Sequence, residues 1–401
     1  MKKRWFSHIL TIWLFFSLFT SACYDPKAEG VSLYNEGMFY YNKEYYLDAL
    51  RVWQKAAEAG NADAMNFLGL MYQHAQGVPV DYKKAMDYFQ QSVKGGNIDA
   101  ISNIGYLYDK ALGVKEDNKL AIEYYQKSVD AGNNDALYNL AFMYDEGEGV
   151  KVDYKKAMEL YLKAAKGGNH NSMNNIGWLY QHGAGIDVNY QKAMEWYKKA
   201  ADNGVPNAMA NVGYMYETAQ GVSEDYKLAM EWYQKAAKAG SDLGMNNLGW
   251  LYQKGLGVQI DYAKAMEWYK KAADKDYDAS MVNIALMYDD GEGVPVDHQK
   301  AMDWNQKAAA LGNSNAMNNI GYAYHYAIGV KTNYKVAMEW YLKSVEAGSN
   351  AGMNNIGWLY ENGLGVAKND SLAIIWYKKA VDAGNEDAKD NLADLEESKR
   401  E

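Results

Sequence analysis

Between Asn211 and Ala237 the chain reads Asn211-Val212-Gly213-Tyr214-Met215-Tyr216, then Gly221-Val222, then Asp225-Tyr226, then Ala229-Met230-Glu231-Trp232-Tyr233-Gln234-Lys235-Ala236-Ala237. This stretch decides the fold because it returns every 36 residues from residue 61 onward without a gap. Naming each column by its number in the first copy, residues 61–96, column 69 reads Gly69, Gly105, Ala141, Gly177, Gly213, Gly249, Ala285, Gly321, Gly357 and Ala393. Three residues on, Tyr72 to Tyr360 form an unbroken tyrosine column, and further columns carry glycine (Gly77 to Gly365) and alanine (Ala85 to Ala373). The bias in composition, with 36 Tyr, 36 Gly and 20 Met among 401 residues but 4 Pro, has the same origin. One module is copied many times.

Each copy predicts two helices. In the first, Asn61 is an N-cap, and Met65, Leu68, Gly69 and Tyr72 share one helical face. Gly77 suits a left-handed stop with Val78 as its apolar clasp. Asp81 caps the second helix, which buries Ala85, Met86, Phe89 and Val93, and Gly96 ends it. The small residue at column 69 is expected to face the one at column 85. Pairs such as Glu195–Lys199 and Glu231–Lys235, four apart on the second helix, read as a solvated face. The methionine column, Met86 to Met338, reads as core filler. One copy is too small to offset its own ordering entropy, so the copies must stack.

The quoted stretch resembles the Sel1-like repeat at nearly every position, and nine such copies cover residues 61–384. Residues 30–60 resemble the sister module, the tetratricopeptide repeat: Gly37 lies 12 residues before Ala49, a shorter first loop than the 16 between Gly69 and Ala85. Residues 385–401 place Lys389 and Asp394 at normally apolar positions and read as a capping helix with a tail. The resemblance implies an all-α fold, a right-handed α-solenoid superhelix of stacked antiparallel helix pairs whose first helices line the concave side.

Residues 1–22 read as an export signal: Lys2, Lys3 and Arg4 precede an apolar run from Ile9 to Phe19 and the small residues Ser21 and Ala22. The only cysteine, Cys23, follows at once, which excludes an internal disulfide and resembles the acylated cysteine of a bacterial lipoprotein, with Thr20 departing from the usual aliphatic residue. Residues 23–29 read as a short linker. With Tyr24 after the cysteine, the resemblance implies a periplasmic protein anchored to the outer membrane, touching the membrane only through its lipid. Without residues 1–22 the chain carries 38 basic against 51 acidic groups, and no basic stripe occurs, so nucleic acid is excluded as a partner.

On a helical wheel, columns 67 and 70 point away from the buried face. Column 67 is Asn103, Asn139, Asn175, Asn211, Asn247, Asn283, Asn319, Asn355 and Asn391, with Phe67 the exception. These amides suit hydrogen bonding to an extended ligand backbone, or equally to the helix of the adjacent repeat. Column 70 varies in size, with Tyr106, Trp178, Tyr214, Trp250, Tyr322 and Trp358 among its members. Beside it, column 73 carries Gln73, Asp109, Asp145, Gln181, Glu217, Gln253, Asp289, His325 and Glu361. Rings flanked by amides and acids suit basic peptides or sugars, or else pack between neighbouring helices.

No chemistry stands out. Six histidines are scattered without ligand spacing, the glycines recur as helix stops, and no Gly-x-Ser-x-Gly elbow occurs. No cofactor or metal is expected, and no copy is expected to break the symmetry as an active site would. Some cysteine-rich secreted relatives are linked to β-lactam binding or hydrolysis, but they carry a cysteine pair in each repeat. The sequence therefore points to a non-enzymatic scaffold for protein or peptide partners in the cell envelope, with peptidoglycan or polysaccharide binding as the alternative and a β-lactam-binding or hydrolysing enzyme as a third reading.

Overall fold

The caps and stops of the sequence become real boundaries in the computed structural model, which describes residues 25–398. Asn61 Oδ1 accepts from the N–H of Ala64 at 2.8 Å, and Asp81 Oδ1 accepts from that of Lys84 at 3.0 Å. Pro206 sits at the start of its helix, where its missing N–H costs nothing. Among the described residues all regular structure is helical. The order is a first pair, Pro26–Tyr41 and Tyr46–Glu58, then nine pairs from Ala62–Gln73 with Tyr82–Lys94 to Asn350–Asn362 with Asp370–Asp382, and a last helix, Asp387–Ser398. The fold is an all-α solenoid of helix pairs. Its contacts divide it into two compact units, the first ending at Val188 and the second beginning at Asn189. Within each unit consecutive helices pack on one another. The export signal, Cys23 and Tyr24 lie outside the described residues, and the first helix starts at Pro26, inside the stretch expected to be a linker.

The helix stop lies two residues earlier than expected. Column 75 holds the left-handed cap, occupied by Gly147, Gly183, Gly255, Gly291 and Gly363 but also by Ala75, Ala111, Ala219 and Ala327 at positive φ. Column 77 is also left-handed, and there every residue is glycine for a second reason. A Cβ on Gly257 would stand 2.8 Å from Cβ and 3.0 Å from the backbone carbon of Tyr226, the residue that opens the preceding repeat's second helix. The invariant glycine is thus a contact between repeats, whereas the cap itself tolerates a methyl group.

Column 69 lies against the backbone of column 85 as expected, and against a ring as well. A Cβ on Gly213 would lie 2.7 Å from Cδ1 and Cε1 of Tyr233, and one on Gly249 2.6 Å from the same atoms of Tyr269. The glycine makes room for the ring at column 89, with the backbone oxygen of Ala229 at 3.1 Å behind it. That ring is the centre of the core: Tyr125, Tyr161, Tyr233, Tyr269, Tyr341 and Tyr377 are fully buried, as is Trp53 at the matching place in the first pair. Column 85 alanines and column 86 methionines are buried around it.

The outer face differs from a lattice of ion pairs. Of the expected acid–lysine pairs, Glu267–Lys271 closes, at 2.7 Å. The lysines instead lie over the aromatic ring three residues before them: Lys199 over Trp196 at 4.4 Å, Lys235 over Trp232 at 4.2 Å, Lys307 over Trp304 at 4.0 Å and Lys343 over Trp340 at 4.2 Å. Three residues along a helix bring a flexible ammonium directly onto the ring face, where the quadrupole attracts it.

Candidate functional site

The column 67 amides stand half-buried on the first helices, one turn from the core. Asn103 Nδ2 donates to Asn66 Oδ1 of the preceding repeat at 2.8 Å. Asn283 does the same to Asn246, Asn355 to Asn318 and Asn391 to Asn354, each at 2.9 Å. Others turn inward: Asn175 donates to the Tyr161 hydroxyl at 2.9 Å, and Asn247 donates to that of Tyr233. The column therefore knits neighbouring repeats together. An amide has two N–H groups and a carbonyl, so one such bond leaves capacity for a ligand.

Column 70 is the open part of the same face. Trp178 is 38% exposed, Trp250 39% and Tyr214 42%, with Tyr106 and Tyr322 similar and Trp358 half-buried. Their polar neighbours orient them. His182 stacks on Trp178 with ring centroids 4.4 Å apart, Lys254 sits 5.0 Å over Trp250, and His325 lies 4.7 Å from the Trp358 ring. Each ring keeps a free edge or face towards solvent.

Column 73 has a structural task that the sequence reading missed. Its side chains accept the buried phenols of column 89, sixteen residues on: Tyr125 donates to Asp109 at 3.1 Å, Tyr161 to Asp145 at 3.0 Å, Tyr233 to Glu217 at 2.5 Å and Tyr269 to Gln253 at 2.6 Å. Tyr341 meets His325 Nδ1 at 3.1 Å, and Tyr377 donates to Glu361 at 2.6 Å. A buried hydroxyl needs a partner, which is why an acceptor recurs at that spacing. Burial holds the Asp145 and Glu217 carboxyls above the usual carboxylate range, against the hydroxyl bonds that pull them down. Burial likewise raises the tyrosines and lowers His325. The constant sixteen-residue spacing was the available signal.

Two repeats break this pairing. In the first, Phe89 has no hydroxyl, and Gln73 Oε1 is left without a hydrogen-bond partner. In the seventh, column 89 is Asn305, 4% exposed. Asp289 cannot meet a phenol there and instead accepts from His298 Nδ1 at 2.8 Å, His298 itself standing where most copies have tyrosine. Burial raises the Asp289 carboxyl, and His298 opposes that shift. Asn319 donates to Asn305 at 3.5 Å. The symmetry expected to hold throughout is therefore broken at two places in the core, and the changes to Phe at residue 89 and to Asn at residue 305 were visible in the columns.

Among the described residues no group of three or more His, Cys, Asp or Glu side chains could hold a metal ion. No described helix is long and apolar enough to cross a membrane.

Comparison with known proteins follows the same repeats. Nine consecutive windows, from residues 62–97 to 350–385, match the family model described as the Sel1 repeat. The fold is similar to the crystal structure of a protective antigen present in uropathogenic Escherichia coli strains, at 30% identity and a TM-score of 0.52, covering 92% of this chain and 79% of that one. It is also similar to a Sel1 repeat protein from Oxalobacter formigenes, at 32% identity and a TM-score of 0.55, covering 63% of this chain and 100% of that one. No curated protein matches the sequence.

Proposed function

Because the chain belongs to the Sel1 repeat family, whose members are generally scaffolds for protein interaction, we propose that it captures protein or peptide partners on the face that carries columns 67 and 70. The observation behind this reading is the partly exposed rings on the first helices within each unit, Tyr106 and Trp178 in the first and Tyr214, Trp250 and Tyr322 in the second, where solvation alone would favour polar side chains. The column 67 amides beside them supply backbone recognition. Replacing Trp178, Trp250 and Trp358 with alanine should abolish partner capture after cross-linking in the native envelope, while far-UV circular dichroism stays unchanged. Capture that survives the triple substitution excludes this face.

The proposed setting is the cell envelope, with residues 1–22 removed on export and Cys23 acylated. Palmitate labelling of the wild type and its loss in Cys23→Ala would support the anchor; an unlabelled wild type rejects it. Rings beside amides also favour a second reading, a glycan-binding surface. Co-sedimentation with peptidoglycan separates the two, since a protein scaffold stays in the supernatant.

A further inference from the structure

The broken seventh repeat opens a cavity of about 460 Å³ in the second unit. It lies among the helices Asp278–Asp290, His298–Ala310 and Ser314–Tyr326. Its position is informative. The wall includes both Asn305, the stub where other repeats carry the tyrosine ring, and Asp289, the residue that in other repeats accepts that ring's hydroxyl. The cavity therefore spans the place of the missing phenol from its root to its hydroxyl. A second reduction enlarges it. Column 71 is Leu or Met in every other copy and Ala323 in the eighth, and Ala323 also lines the cavity. Met302 and Ile328 supply apolar walls, and the exposed Leu286, Asp290 and Tyr322 form a mouth open to solvent.

We infer that the seventh repeat is a binding pocket for a p-hydroxyphenyl group supplied from outside the chain. The rest of the chain is the template for this assignment. Six tyrosines with observed bonds place an aromatic ring in the equivalent space and give its hydroxyl to column 73. Asp289 Oδ1 is taken by His298, and Oδ2 of the same carboxylate can accept a second donor. The methyl group of Ala285, where most copies have glycine, is no obstacle, because Ala141 stands at the same column in the repeat of the buried Tyr161. The volume lies within the roughly 300–1,000 Å³ of small-molecule sites, and an apolar wall with a few convergent polar groups is their usual make-up. Asp289 and Asp290 disfavour an anionic ligand, which selects a neutral phenol over a phenolate or benzoate.

Two sources carry this chemistry: a free small phenol, or the tyrosine side chain of a partner. In the second case the amides of Asn318 and Asn319, which also line the cavity, are placed to hold the flanking backbone. The inference stands apart from the scaffold reading, since it concerns one repeat and a ligand that needs no column 70 tryptophan.

The test uses p-cresol, the tyrosine side chain as a free molecule, with the full chain. Saturable binding is expected by ligand-observed NMR or calorimetry, with toluene at least tenfold weaker because it offers Asp289 no donor. Asn305→Tyr should rebuild the ring within the chain, weaken p-cresol at least tenfold and raise the unfolding temperature. Ala323→Leu, which restores the usual column 71 residue, should weaken p-cresol as well, so the test survives if the first variant folds poorly. N-acetyl-tyrosine amide and the peptide Gly-Gly-Tyr-Gly-Gly distinguish the sources: tighter binding of the peptide than of p-cresol points to a partner's tyrosine, and the reverse to a free phenol. Absence of p-cresol binding to the wild type, or equal binding to wild type and both variants, overturns the inference.

Discussion

At the scale of single residues, identical side chains have different worth according to what they face. Gly255 and Gly257 have nearly the same backbone, φ of 69° and 70°, yet they differ in their neighbours. A Cβ on Gly255 meets Cγ1 of Ile260, a side-chain atom that can move, and alanine already occupies that column at Ala219. A Cβ on Gly257 meets the backbone of Tyr226. Gly257→Ala should therefore cost about 2–4 kcal/mol in urea unfolding, a left-handed penalty plus overpacking, and Gly255→Ala markedly less. Glu217 allows a test with pH. Its carboxyl is raised by burial, so the folded state binds its proton more tightly than the unfolded state. Stability from that group is present below the ordinary carboxylate pKa and is lost as pH rises through the raised value. Glu217→Gln, which copies the Gln253–Tyr269 pair, should stabilise the protein at pH 7 by up to about 1 kcal/mol, and the gain should fade on acidification. A gain independent of pH would show that the carboxylate is not the cause. The spacing of acceptor and phenol was present in the sequence. It stayed unread because a helical wheel assigns column 73 to the outer face, and a long side chain reaches back across that boundary.

At the scale of elements, caps and rings carry more than ion pairs. Asp225 accepts from the N–H groups of both Lys227 and Leu228 at 3.0 Å, and Asp225→Ala should cost about 1 kcal/mol. On the same helix Lys235 lies over Trp232 and is not within ion-pair distance of Glu231. Glu231→Gln should then be nearly neutral and insensitive to salt, whereas Trp232→Ala should destabilise measurably. Equal costs for the two would show that the ring contact is not what stabilises this face. The helix boundaries were legible because caps are local: an Asp or Asn three residues before its N–H partner needs nothing distant. The left-handed cap was misplaced by two residues because the alanines at column 75 hide it, while the glycines at column 77 advertise a contact with another repeat.

At the scale of the molecule, the repeat is the unit of change. Each of the two compact units is a run of consecutive helices whose contacts are with their neighbours in sequence. Stability in such arrays is a sum of repeat and neighbour terms. Removing residues 278–313 joins residue 277 to 314 in the same register. The shortened chain should keep its helicity per residue in circular dichroism and unfold cooperatively, while losing the cavity at Asn305. A collapse in helicity would mean that the seventh repeat is indispensable to the unit, contrary to nearest-neighbour stacking.

The sequence by itself determined the class of fold, the count and register of the copies, the N-caps, and most of the buried columns, because each of these depends on a 3.6-residue period and on contacts within a few residues. It also contained, unread, the substitution at Asn305. Only the tertiary structure decided what each constant column is for: that the column 69 glycine faces a ring, that the column 77 glycine abuts the previous repeat, and that column 73 receives a buried hydroxyl. The reason is physical. Periodicity tells which way a side chain leaves its helix, but its partner belongs to another helix, and that pairing exists only when the helices are packed.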